Sequence, residues 1–313
     1  MKDQIDKLND GLIMDKKILT FIQSYFKGFT STGAGQNSNV FTTYLSDDNY
    51  DYQETRYYYD EEKEFFHLTS LSNLFLILNS ETFRMYNLLK SKDVEEYAFA
   101  AKVLKIDEGY IKGRKENLFT FSFSSATEVE NNHLWDTYGD KRSGVGICFS
   151  VMNSIQEWNG FHLSKIFYGD EHNFNEYYEA KQEFEKSNGI KISCDMSSLI
   201  GFHKSGMWSN EKERRILYFD SRNSEINHPL KEKPEILQKD GRTFFTRYVE
   251  MPLFTNRTEM ANHDCIPLLK IKKIIFGKNS NFSSFEKDEI NLKLQDIFKN
   301  VYGYEVEIEG LAF

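Results

Sequence analysis

No apolar run in this 313-residue chain approaches the roughly 18 residues that a membrane-crossing helix needs. Its first residues, "MKDQIDKLNDGLIMDKK", lack the apolar centre of a signal peptide, and the sequence reads as cytoplasmic. Cysteine is scarce: Cys148, Cys194 and Cys265 are odd in number, far apart and in no CxxC pairing. That argues against both a disulfide framework and a thiolate zinc site. Motifs with a known chemistry are missing as well. There is no GxxxxGK[ST], HExxH, GxSxG or EF-hand loop. "SGVGICF" supplies Gly144 and Gly146 without the third glycine of a dinucleotide fingerprint. His133, His162, His172 and His203 show no metal-ligand spacing, nothing supports a Cys–His pair, and no metal is expected. Proline is rare too: all four lie beyond Asn227, which marks Asn223 to Asp240 as an irregular surface excursion.

What is abundant is aromatic side chain, 15% of the residues, enough for a substantial core and contrary to a disordered composition. The formal net charge is −9, and residues 1–66 hold seven Lys/Arg against twelve Asp/Glu. Over half of the excess therefore sits in the N-terminal stretch. Adhesion to DNA across the whole surface is not expected, although a local basic groove stays open.

Ile5 to Phe29 has the spacing of an amphipathic helix, and "TSTGAGQNSN" (Thr30 to Asn39) reads as a loop or linker. Residues 1–64 are taken as an N-terminal extension, its helix a possible partner contact, and 65–313 as the main domain. There, "FFHLT" reads as a strand and "SLSNLFLILNSE" as a helix capped by Ser70 or Ser72. "LFTFSFSS" alternates strictly, with Phe119, Phe121 and Phe123 on one face and Thr120, Ser122 and Ser124 on the other. "NHLWDTYG" is a short helix ended by Gly139, "SGVGICFSV" a strand, and "FNEYYEAKQEFEKSNG" a helix with Gly189 past its end. "RYVEMPL", "IKKIIFG" and "YEVEI" read as later strands, with a helix over Phe285 to Val301. Strands outnumber what a regular βαβ alternation needs, so the fold class is α+β.

Several positions invite a chemical reading. His67 shares a strand face with Thr69 and could donate a hydrogen bond to a ligand hydroxyl; a core-edge histidine satisfied by backbone is the stronger reading on spacing alone. Ser122 and Ser124 could line a cleft or simply be wet. Trp135 and Tyr138, three residues apart on a helix, suit an aromatic platform or ordinary packing. "MWSNEKERRILYF" sets Glu211 and Glu213 one residue apart, on one side of the chain if the segment is extended. Glu213 has the parity of Leu217 and Phe219, which look inward. Arg215 shares it, so an inward Glu213–Arg215 ion pair is an alternative. A carboxylate at the mouth of a sheet suits stabilisation of a cationic sugar transition state.

The segments "FHLTSLSNLFLILNSETFRMYN", "FTFSFS", "LWDTYGDKRSGVGICFS", "MWSNEKERRIL" and "IKKIIFG" together resemble a bacterial family of domains of unknown function, number twenty-nine seventy-one. Arg214 departs from it, since members usually carry an aromatic residue there. That family is distantly similar to the ADP-ribosyltransferase superfamily. The resemblance implies a split, twisted sheet with NAD, as substrate, in its cleft. It implies His67, with Thr69 beside it, on the ribose, Ser122 and Ser124 on the middle strand, and Trp135 and Tyr138 as cleft aromatics. Glu213 would be the carboxylate on the nicotinamide ribose and Glu211 its upstream partner. The expected activity is ADP-ribosyl transfer or NAD cleavage, with protein, nucleic acid or water as acceptor, in a toxin or phage-defence effector. The alternatives are a non-catalytic nucleic-acid- or protein-binding module on the same fold and, last, a metal-dependent hydrolase or nuclease.

Overall fold

The computed structural model describes residues 2–28, 30–37, 40–46, 52–88, 94–105, 117–158, 160–169, 174–195, 197–219, 233–239, 242–259 and 265–310. In chain order the elements begin with α1 (Lys2–Tyr25), β1 (Thr30–Asn37), β2 (Val40–Ser46), β3 (Glu64–Thr69), α2 (Leu71–Ser80), β4 (Thr82–Asn87) and α3 (Val94–Val103). Next come β5 (Leu118–Ser125), α4 (Asn132–Tyr138), β6 (Val145–Val151), β7 (Phe161–Lys165), β8 (Phe167–Tyr168), α5 (Asn175–Asn188), β9 (Lys191–Asp195) and β10 (His203–Lys204). The chain closes with β11 (Glu213–Phe219), β12 (Lys233–Lys239), β13 (Arg242–Pro252), β14 (Leu269–Phe276), α6 (Ser284–Ile297) and β15 (Glu307–Glu309). The class is α+β, as the sequence indicated.

These elements form two compact units, one of residues 1–58, 93–114 and 167–206, the other of residues 59–92, 115–166 and 207–313. The first holds α1, α3, α5 and two small sheets, β1-β2-β9 and β8-β10. Ile18, Ile22 and Phe26 of the N-terminal segment are buried. Phe21 stacks on Phe184 of α5 at 4.6 Å, and Phe26 meets Tyr177 edge-on at 5.0 Å. The expected loop at 30–39 is instead mostly strand: β1 pairs antiparallel with β2, with a register shift between Thr32 and Gly35. Partnership across the pair makes a strand of a stretch whose composition reads as a turn, and a glycine at the irregularity fits a bulge.

The second unit is built on a ten-stranded sheet with the main path β12-β13-β4-β5-β3-β6-β14-β15, while β11 lies between β5 and β7. One face carries the core: Phe65, Phe83, Met85, Phe121, Phe123, Ile147, Phe149, Ile216, Val249 and Ile274 are all buried there. Each such side chain contributes roughly 1.5–3 kcal/mol by leaving water, and the period-two alternation of β5 is what delivers its three phenylalanines to one side. Helix α2 starts at Ser70, whose hydroxyl accepts from Asn73 N–H at 3.2 Å. The excursion expected over Asn223 to Asp240 contains β12, an edge strand that among the described residues pairs only with β13. Pro234 is tolerated there because an edge leaves one side of the ladder unused. Residues 220–232 and 240 lie outside the described residues.

One irregularity shapes the centre of this sheet. β5 runs along β11 over its whole length, but its other edge is shared. β4 pairs at Thr120 and Phe119, and β3 pairs at Ser125 and Ser124. Between them, among the described residues, 121–123 have no strand partner on that edge. A wedge of His67, Phe83 and Phe121 occupies the gap, with ring centroids 4.8–5.8 Å apart.

Candidate functional site

Strand β11 lays the polar half of its sequence on the face opposite the main core. In the antiparallel ladder Glu213 lies opposite Ser124, Arg215 opposite Ser122 and Leu217 opposite Thr120, while Ser164 of β7 flanks Arg215 on its other side. Directly opposed residues share a face. A row therefore crosses four strands, Cys148, Phe66, Ser124 and Glu213. Glu213 is 5% exposed and Arg215 3%, so charge at this depth needs a partner. Arg215 supplies it, donating from Nε and Nη2 to Glu213 Oε1 at 2.9 and 2.7 Å. The inward ion pair left open by the sequence is thus formed.

Glu211 reaches the site by a different route. The extended segment on which Glu211 and Glu213 would share one side is not formed, because Glu211 ends a 3-10 turn (Gly206–Glu211) and Lys212 has φ +44°. Left-handed backbone at a non-glycine residue breaks strand parity. The buried Glu211 is anchored from two sides. Its carboxylate accepts a hydrogen bond from the Tyr138 hydroxyl, and its carbonyl accepts one from Ser124 Oγ at 3.1 Å.

The start of α4 holds this turn in place. Asn131 caps the helix, its Oδ1 accepting from His133 and Leu134 N–H. Its Nδ2 donates to Glu128 Oε2 at 2.9 Å and to the Asn210 carbonyl at 3.3 Å. Lys212 closes the other side on Glu128 Oε1 at 2.7 Å. Burial alone would raise the Glu128 carboxyl, but the bonds from Lys212 and Asn131 hold it below its usual range. One residue thus ties the helix bearing Tyr138 to the turn bearing Glu211. Sequence reasoning missed Asn131 and Glu128; the signal available was Asn131 itself, a favoured capping residue just before the helix.

The remaining expected residues take other places. Trp135 is 8% exposed and packs on Phe66, with its indole N–H donated to the Val129 carbonyl. Gly146 makes room for this layer: a Cβ there would lie 2.2 Å from the Phe66 ring. Tyr138 is 47% exposed and offers a solvent-side approach to Glu211. Ser122 is exposed and lies opposite Arg215. Cys148 shares the face, but burial pushes its thiol up to about 11, which makes it packing rather than nucleophile at neutral pH.

His67 and Thr69 lie on the other face of β3, toward Phe83 and Phe121, and not on the face of Glu213 and Ser124. His67 Nδ1 is 3.0 Å from the Ser122 carbonyl in the gap along β5. A carbonyl only accepts, so Nδ1 carries the proton. Burial lowers the imidazole to about 4, against the opposing effect of that backbone bond. At neutral pH the ring is uncharged and Nε2 is an acceptor, not the donor anticipated for a ligand hydroxyl. The backbone-satisfied histidine describes this geometry.

Fold and site define an α+β protein that carries two carboxylates, a serine and a tyrosine around the joined ends of β5 and β11. Residues 134–216 match the model of the family described as "Protein of unknown function (DUF2971)". The family expectation drawn from the motifs holds over that segment, which includes Trp135, Tyr138, Glu211, Glu213 and Arg215. No curated protein and no solved structure matches the chain. Among the described residues no helix is long and apolar enough to cross a membrane, and no three His, Cys, Asp or Glu side chains group as a metal site.

Proposed function

We propose that the chain cleaves the bond between nicotinamide and ribose in NAD and passes the ADP-ribosyl group to an acceptor hydroxyl or water, on an ADP-ribosyltransferase-like arrangement. The observation carrying this reading is the pair Glu213 and Glu211 around Ser124, with Glu213 held as a carboxylate by Arg215. The electron pair of the C1′–N bond leaves with nicotinamide, which departs neutral. Positive charge grows on C1′ and the ring oxygen, where a fixed carboxylate lowers the barrier. Glu213 takes that role. The acceptor oxygen then bonds to C1′ and gives its proton to Glu211, whose contact with Tyr138 opens toward solvent. His67 is left out of the reacting set, because its Nδ1–H is engaged in the sheet.

The test is nicotinamide release from NAD by the full chain beside Glu213→Gln, with both checked for equal folding. Loss of one transition-state charge partner should cost roughly a hundredfold or more in kcat, with a smaller change in NAD affinity. Equal release by both proteins overturns the assignment. A second reading, a non-catalytic binding module, draws on the depth of the carboxylates: both residues are at most 5% exposed and already bonded. It is favoured if neither protein binds NAD.

A further inference from the structure

In the first unit a groove of about 410 Å³ runs between α5 and β9. Lys105, Lys181 and Lys191 line it, with Glu185 as the one carboxylate among the described lining residues. That carboxylate is already saturated. It accepts from Ile192 N–H at 2.7 Å and pairs with Lys191 at 3.3 Å and Lys181 at 3.5 Å. Burial alone would raise Glu185, but these contacts hold it below its usual range. Three ammonium groups therefore meet one negative charge.

The unmet groups are donors. Lys105 follows α3 at φ +48°, its ammonium 3.7 Å from the Tyr178 ring centroid and without a carboxylate partner among the described residues. The Tyr177 side chain, 2% exposed, lines the same groove, and its buried hydroxyl has no nitrogen or oxygen partner among the described residues, only the weakly accepting Cys194 thiol beside it. A buried hydroxyl of this kind carries a desolvation cost that an acceptor would relieve. The Gln182 amide adds further donors at the surface. A ligand matching this set is rich in acceptors and carries more than one negative charge, and the volume exceeds that of a single phosphate.

We propose that this groove binds a phosphorylated small molecule through a diphosphate-type group, with Lys105, Lys181 and Tyr177 as its donors. The site is separate from the carboxylate pair and does not depend on NAD cleavage. Inorganic pyrophosphate is the probe, titrated calorimetrically into the full chain at low ionic strength. One equivalent should bind. Lys105→Gln and Tyr177→Phe should each weaken binding by about tenfold, the size of one charge-assisted or otherwise unmet buried bond. Among the described residues Lys105 forms no ion pair, so Lys105→Gln gives up its contact with the Tyr178 ring but breaks no charge pair, and Tyr177→Phe keeps the ring. Lys272→Gln, on β14, serves as the control and should bind like the wild type. No binding by the wild type, no change in the two groove variants, or an equal loss in Lys272→Gln overturns the proposal.

Discussion

His67 shows what one side chain does when two strands part. The β5 edge at 121–123 would leave the Ser122 carbonyl without a ladder partner, and the imidazole supplies the missing donor. Its folded-state pKa, about 4, lies below the ordinary 6.5. The unfolded chain therefore binds the proton more readily between these values. The stabilising contribution is complete above pH 6.5 and is lost as pH falls toward 4. The His67 ring signal should titrate near pH 4 by NMR, and the fall in urea-unfolding stability from pH 6.5 to 4 should be shallower in His67→Gln. A midpoint near 6.5 would remove this account. The sequence placed His67 and Thr69 together on one strand face, which holds. It could not tell that Ser124 and Glu213 occupy the other face, because that depends on which strand pairs with which.

Elements were legible where their own pattern decides them. Leu74 and Leu78 give α2 its buried side, Ser70 its start, and the alternation of Phe119, Phe121 and Phe123 gives β5 its faces. β1, β9 and β12 escape such reading, since their strand character comes from pairing. The Glu211–Glu213 parity fails for a local reason, the left-handed Lys212. What α4 does was also beyond the sequence: it presses Trp135 on Phe66 and sends Tyr138 to Glu211. This layering depends on Gly146. An added methyl would meet the Phe66 ring at 2.2 Å, and Phe66, 1% exposed, has little room to turn away from Trp135. Gly146→Ala should cost about 1–3 kcal/mol by overpacking, measured by denaturant unfolding, and should weaken the hold of α4 on the Glu211 turn. A variant as stable as the wild type would mean that the layer yields freely.

The division of the chain into two units sets a different expectation for residues 1–58. A stretch that reads as an appended extension belongs to a unit with 93–114 and 167–206, two segments interposed in the rest of the sequence. Within that unit β2 supplies the parallel partner of β9, Phe21 stacks on Phe184, and Phe26 packs against Phe174 and Tyr177. Removing 1–58 would leave β9 without the β2 partner and uncover Tyr177 and Phe184 of α5 and Phe174 just before it. Each large apolar side chain returned to water costs roughly 1.5–3 kcal/mol, while whole domains are stable by only about 5–15 kcal/mol. The truncated chain should therefore bind a hydrophobic dye strongly and be cut by protease within 93–114 and 167–206 at concentrations that leave the full chain intact. If 59–313 instead resists protease as the full chain does, those later segments hold their structure without the first 58 residues, and the N-terminal stretch is an extension after all.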